Sequence, residues 1–141
     1  MERFEEKVRA SFARQKFMSM LRAEMVSVTP GTVEIRLPYS AEIGQQNGFA
    51  HAGAITSILD SACGYAALSV ARAEAEVLSV EFKVNLLAPA VGDFFIARAS
   101  VKRSGKTLCV CTADAIAFSN GEEKVIATML ATMIYMPNEH A

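Results

Sequence analysis

The chain has 141 residues, enough for one domain with a substantial core, and 52% of them are apolar against a formal net charge of −1. That balance excludes a disordered chain and offers no basic excess for a nucleic-acid partner. Three cysteines and two histidines are too few and too scattered for a disulfide framework or a metal cluster, so neither a metal nor a cofactor is expected.

Residues 1–22 alternate charge with apolar side chains and lack the continuous apolar segment of a secretion signal. A helix is expected over about 2–22, with Phe4, Val8 and Phe12 recurring at intervals of four and Glu5 paired with Arg9 on another face. Next, Met25 to Val28 leads into Thr29-Pro30-Gly31-Thr32, a type II turn pattern, and Val33, Ile35 and Leu37 alternate after it. Pro38 to Gly48 reads as a loop.

A long helix is expected from His51 or Ala52 to about Ala71. Ile55, Leu59, Ala62, Ala66 and Val70 form its apolar stripe, beside a stripe of Thr56, Asp60, Gly64 and Ala67. The run is long enough to cross a bilayer, but Thr, Ser, Gly, His and Asp dilute it, and the strands that follow cannot sit in lipid as an open sheet. A buried helix of a water-soluble, cytoplasmic protein is the expectation, with no membrane partner.

The remainder reads as strand. Leu78, Val80, Phe82, Val84 and Leu86 alternate with Ser79, Glu81, Lys83 and Asn85 as in a half-buried strand. Phe94 to Arg103 follows, then a two-residue turn at Ser104-Gly105, then Thr107 to Phe118, the hairpin signal Asn120-Gly121, and Lys124 to Met136 before Pro137. Cys109 and Cys111 lie two apart on one strand face and, with Cys63, read as small core residues. Of the two histidines, His140 lies at the extreme C-terminus. Helix, hairpin, long helix and antiparallel meander predict a single α+β domain over 1–141, a curved sheet wrapped around one helix.

The helix poses a chemical question. Between Ile43 and Ala71 the only formally charged side chain is Asp60. A carboxylate among apolar residues must be paired, neutralised or used. Either it is a satisfied structural group, bonded to amides or a hydroxyl such as Thr56, or it is a nucleophile or general base. His51 lies nine residues earlier, about two and a half turns and roughly 13 Å away on the opposite side, so the two cannot form a dyad within one chain.

These residues also carry a resemblance. GFAHAG followed by AITSILDSA resembles the HGG-x(n)-D signature of hotdog-fold acyl-CoA thioesterases, in the PaaI-like branch. The strand Leu78 to Ala90 and the basic hairpin Lys102 to Lys106 are similar to that family as well. The resemblance implies a homo-oligomer, a dimer at least and a tetramer as a dimer of dimers, with acyl-CoA sites at the dimer seam. It implies Asp60 as nucleophile or base, Ala52 N–H as the donor that polarises the thioester carbonyl, His51 as an orienting residue and Ser79 as a holder of the attacking water. Ala52 replaces the middle glycine of the motif. Gln45 stands where many relatives have a catalytic asparagine, and Gln46 and Asn47 remain alternatives for substrate contact. Gly53, Arg103 and Lys106 complete the candidate substrate-binding set, the last two for coenzyme A phosphates or simply as a solvated hairpin tip.

Rival functions remain. A hotdog hydratase would show Asp-x-Asn-x-x-His, whereas Gln45, Asn47 and His51 have Gln for Asp and a histidine one residue late. No Gly-x-Ser-x-Gly elbow supports serine hydrolysis, and Cys63 lies about three turns beyond His51. A non-catalytic acyl-CoA-binding protein would not need Asp60.

Overall fold

The computed structural model describes residues 2–137, and His140 lies outside the described residues. The chain forms α1 (Arg3–Arg14), α2 (Lys16–Met20), β1 (Glu24–Thr29), β2 (Thr32–Pro38), α3 (Ala52–Ser69), β3 (Ala75–Leu86), β4 (Phe94–Ser104), β5 (Leu108–Ser119) and β6 (Glu122–Pro137). The strands make one antiparallel sheet in the order β1-β2-β4-β5-β6-β3. This is an α+β hotdog fold, with the sheet curled around α3.

The inner face of the sheet explains how α3 seats so closely. Cross-strand neighbours Ala97, Ala115 and Ala127 form one row there, and Ala99 and Ala113 another. All are buried, and their small side chains let the helix approach the sheet. Ile55, Ile58 and Leu59 of α3 then fill the space against Phe95, Ile35, Met129 and Met133, with none of them more than 2% exposed. Burying each such side chain contributes about 1.5–3 kcal/mol.

Several expectations need correction. The N-terminal helix is broken at Gln15, whose φ of −82° and ψ of 96° are not helical, so α1 and α2 change direction there. The helix expected to reach Ala71 ends at Ser69, and Val70 of its apolar stripe is exposed. The turn after β4 spans 105–107 rather than Ser104-Gly105, because β4 runs through Ser104 and β5 begins at Leu108, whose carbonyl accepts the Gly105 N–H at 2.8 Å. The hairpins at Gly31 (φ 80°) and at Asn120-Gly121 (φ 52° and 78°) have the left-handed residues that their turns require.

Two differences concern β3. It does not continue into the meander formed by β4, β5 and β6 but pairs with β6 at the sheet edge. Its alternation is also interrupted by a bulge between Ser79 and Glu81. Ser79 pairs with Met133 and Phe82 with Ala131, both inward positions of β6, so two residues an odd number apart share the inner face. Leu78, Val80, Phe82 and Leu86 are exposed along this edge.

The core also encloses acids that stay neutral. Cys63, Cys109 and Cys111 are free and buried, as expected. Burial pushes the Cys63 thiol up to about 12 from an ordinary 9.0, and it pushes Cys111 up as well. The Tyr65 phenol is raised by the same cause, and Tyr135 rises to about 12. A folded pKa above the unfolded value gives stability that is full below the unfolded value and is lost as pH rises through the folded one. Stability measured by urea unfolding should therefore fall as pH rises above about 9, and Cys63→Ala with Cys111→Ala should flatten that fall. An unchanged alkaline slope in the double variant would contradict this reading of the thiols.

Candidate active site

The segment between β2 and α3 is folded back on itself. Gly44 and Ala50 form an isolated bridge, Gln45 N–H donates to Phe49 O at 2.8 Å, and Gly48, at φ 82°, takes the left-handed turn position. Ala50 N–H donates to Ala90 O at 2.9 Å and His51 N–H to Ile43 O at 2.7 Å. These bonds fix where α3 begins.

His51 is the N-cap of α3. Its Nδ1 accepts the Gly53 N–H at 2.7 Å, so the ring occupies the place usually taken by a serine or aspartate oxygen. With Nδ1 accepting, the ring proton sits on Nε2. Gly53 suits this arrangement, since a Cβ there would lie 3.0 Å from Nδ1 and 3.3 Å from Cε1. The Gly53 donor is thus committed to His51. Ala52 N–H, by contrast, makes no hydrogen bond among the described residues and points from the positive end of an 18-residue helix.

A cavity of about 640 Å³ opens at this point. Gln45, Gln46, His51 and Ala52 line it on one side and Leu86 to Ala90 on the other. Of the three candidate amides, Gln45 is half-buried while Gln46 and Asn47 are exposed, and Asn47 does not line the cavity. Gln45 Oε1 accepts the Asn47 N–H, which leaves the Gln45 amide nitrogen free to donate.

Asp60 lies in a different cavity, of about 650 Å³. It is half-buried rather than enclosed, and Ser79 Oγ donates to its Oδ1 at 2.6 Å. The bulge in β3 makes this bond possible by turning Ser79 inward. Gly64, one turn beyond Asp60, has open space where a Cβ would be. Of the partners considered for a structural carboxylate, Thr56 makes no hydrogen bond with Asp60 among the described residues, and the strand hydroxyl of Ser79 takes that place.

One chain therefore groups Gln45, Gln46, His51 and Ala52 in the first cavity and Asp60 with Ser79 in the second. Arg103 and Lys106 are exposed near the β4–β5 turn and line neither cavity. Among the described residues there is no cluster of His, Cys, Asp or Glu able to hold a metal, and no helix is long and apolar enough to cross a membrane. Sequence reasoning missed a polar group beside Asp60, formed by Ser11, Gln15, Ser61 and Tyr65. Ser61 and Tyr65 follow Asp60 at offsets of one and five, but the half supplied by α1 had no local signal.

The capping role of His51 can be measured. His51→Ala should cost about 0.5–2 kcal/mol in urea unfolding, while His51→Asn, which keeps an acceptor, should retain most of it. Equal losses in the two variants would contradict the cap.

With this geometry in place, comparison with other proteins is informative. The model of the thioesterase superfamily matches residues 47–124. A curated relative from Saccharolobus solfataricus, provisionally named an esterase, is 30% identical over 67% of this chain and 67% of its own length. The crystal structure of a thioesterase family protein from Silicibacter pomeroyi is 52% identical, with a TM-score of 0.94 over 95% of this chain and 98% of that one. The PaaI protein of the E. coli phenylacetic acid degradation operon shares the fold, with a TM-score of 0.84 over 94% of this chain and 93% of its own, at 19% identity. The chain belongs to the thioesterase superfamily, as a thioester hydrolase of hotdog fold.

Proposed function

We propose that the protein hydrolyses acyl-CoA thioesters of small or medium acyl or aryl-acyl groups, at sites shared between two copies of the chain. The observation that carries this reading is the separation of the two half-sites. An unbonded helix N-terminal N–H and a glutamine amide occupy one cavity, and a hydroxyl-bonded carboxylate occupies the other.

The edge strand suggests how they meet. The first cavity lies beside Leu86–Ala90, after the C-terminal end of β3, and the second beside the N-terminal half of β3. Antiparallel pairing of β3 with its copy about a two-fold axis brings the late part of one strand against the early part of the other. It would also cover the exposed Leu78, Val80 and Phe82 edge. Two such dimers would then form the tetramer.

In the assembled site, Ala52 N–H and the Gln45 amide from one chain polarise the thioester carbonyl and stabilise the charge that develops on its oxygen. Asp60 of the other chain acts as general base or nucleophile. As a base it takes a proton from water, the hydroxide adds to the carbonyl carbon, the C–S bond breaks, and the proton passes to the departing thiolate. Ser79 donates to Oδ1, which leaves Oδ2 for that water. Arg103 and Lys106 are candidates for the coenzyme A phosphates. Free buried thiols suit the reducing cytoplasm, where we place the enzyme.

Free-thiol release across a panel of acyl-CoAs tests the proposal. Asp60→Asn should abolish turnover while substrate still binds, whereas Gln45→Ala, which removes one donor, should slow it by roughly 10²–10³. Full activity in Asp60→Asn would mean that another group reacts, and absence of thiol release from every acyl-CoA would leave a binding protein as the explanation.

A further inference from the structure

The part of the Asp60 cavity lined by Ser11, Gln15, Ser61 and Tyr65 has no part in the hydrolysis just described. It is built where the N-terminal helix breaks. Because Gln15 leaves helical geometry, its side chain meets α3 instead of following the α1 surface. Its Oε1 accepts from Ser61 Oγ at 3.2 Å, and its Nε2 donates to the Tyr65 hydroxyl at 3.4 Å. Ser11 Oγ donates to the same hydroxyl at 3.3 Å. Tyr65 is 7% exposed and its ring packs edge-on against Phe12 at 5.8 Å, so the phenol is fixed in place.

The direction of these bonds is informative. Tyr65 accepts twice, and its own O–H proton has no acceptor among the described residues. The second N–H of the Gln15 amide has none either. Two donors thus border a cavity of about 650 Å³ that also holds Asp60. Tyr65 lies five residues after Asp60, about 7.5 Å along the helix axis, a distance suited to the far end of a short acyl chain. The charged side chains around the cavity balance: Lys7 and Arg14 stand against Asp60 and Glu76, and Lys7 is already bonded to the carbonyls of Arg72, Ala73 and Ala75. The wall therefore suits a neutral oxygen better than a carboxylate.

We propose that Gln15 and Tyr65 set acyl-group specificity, selecting acyl-CoAs whose chain carries a neutral hydrogen-bond-accepting oxygen, a hydroxyl or a ketone, several carbons from the thioester. The inference rests on the hydrolysis reading above. A saturated chain would leave the two donors dry and unpaired, which is costly, whereas an oxygen at that place satisfies them.

The test compares hexanoyl-CoA, its terminally hydroxylated counterpart and adipyl-CoA, which ends in a carboxylate. The intact oligomer should favour the hydroxylated substrate over hexanoyl-CoA by about tenfold in kcat/KM. In Tyr65→Phe, which keeps the ring against Phe12, and in Gln15→Leu, that ratio should collapse toward one. A mere loosening of α1 would lower both rates together and leave the ratio where it was. A wild-type ratio of one, a ratio unmoved in both variants, or a preference for adipyl-CoA would overturn the assignment while hydrolysis itself stands. Absence of thiol release from every acyl-CoA would instead sink the hydrolysis reading, and this inference with it.

Discussion

One extra residue in an edge strand governs how the lone carboxylate of the central helix is held. The bulge between Ser79 and Glu81 resets the alternation of β3, so that Ser79 faces the helix while Phe82 and Val84 also face inward. Without it, either the serine or the apolar side chains would point away from the core, because side chains alternate strictly along a regular strand. The Ser79–Asp60 hydrogen bond at 2.6 Å depends on that reset. It gives the carboxylate a partner without enclosing it, and leaves one of its oxygens facing a cavity. A helix nearly free of charge can tolerate Asp60 for this reason: the group is half-buried, bonded and still reachable.

The other end of the same helix is prepared in a complementary way. His51 caps α3 through the Gly53 N–H and is itself fixed by Ile43 O. The cap takes the second donor of the helix and spares the first, Ala52 N–H, which has no competing acceptor. Glycine at position 53 suits this selectivity, since a Cβ there would lie 3.0 Å from the imidazole Nδ1 and the ring would have to shift, and alanine at position 52 still supplies its N–H. The replacement of the middle glycine of the motif is thus compatible with the donor it supplies. About 12 Å of helix separates the donor from the carboxylate, and the rigidity of α3 prevents one chain from closing that gap.

Much of this was legible in the sequence, and the failures have physical causes. The order of elements, the strands after Ala75 and the turn at Asn120-Gly121 followed from alternation and turn chemistry, which are local. Asp60 stood out because charge is absent for so far on either side of it. The bulge was not legible: Leu78, Val80 and Phe82 alternate without interruption, and an edge strand with exposed apolar residues hides a change of phase. The pairing of β3 with β6 in place of β4 is a non-local choice that no local pattern announces. The break at Gln15 was missed for a related reason, since Phe4, Val8 and Phe12 keep helical spacing up to it and the side chains that reward it, Ser61 and Tyr65, lie more than 40 residues away.

The central claim is that each reacting centre draws its donors from one chain and its carboxylate from another. Subunit exchange between Gln45→Ala and Asp60→Ala variants addresses it most directly. Each parent is impaired at every site, but a mixed dimer has one site with both groups intact and one with both missing. Thiol release from acyl-CoA should therefore return when the two variants are mixed and allowed to exchange. No recovery, in a sample where mass spectrometry proves that mixed dimers have formed, would mean that both groups act within one chain and would contradict the shared site.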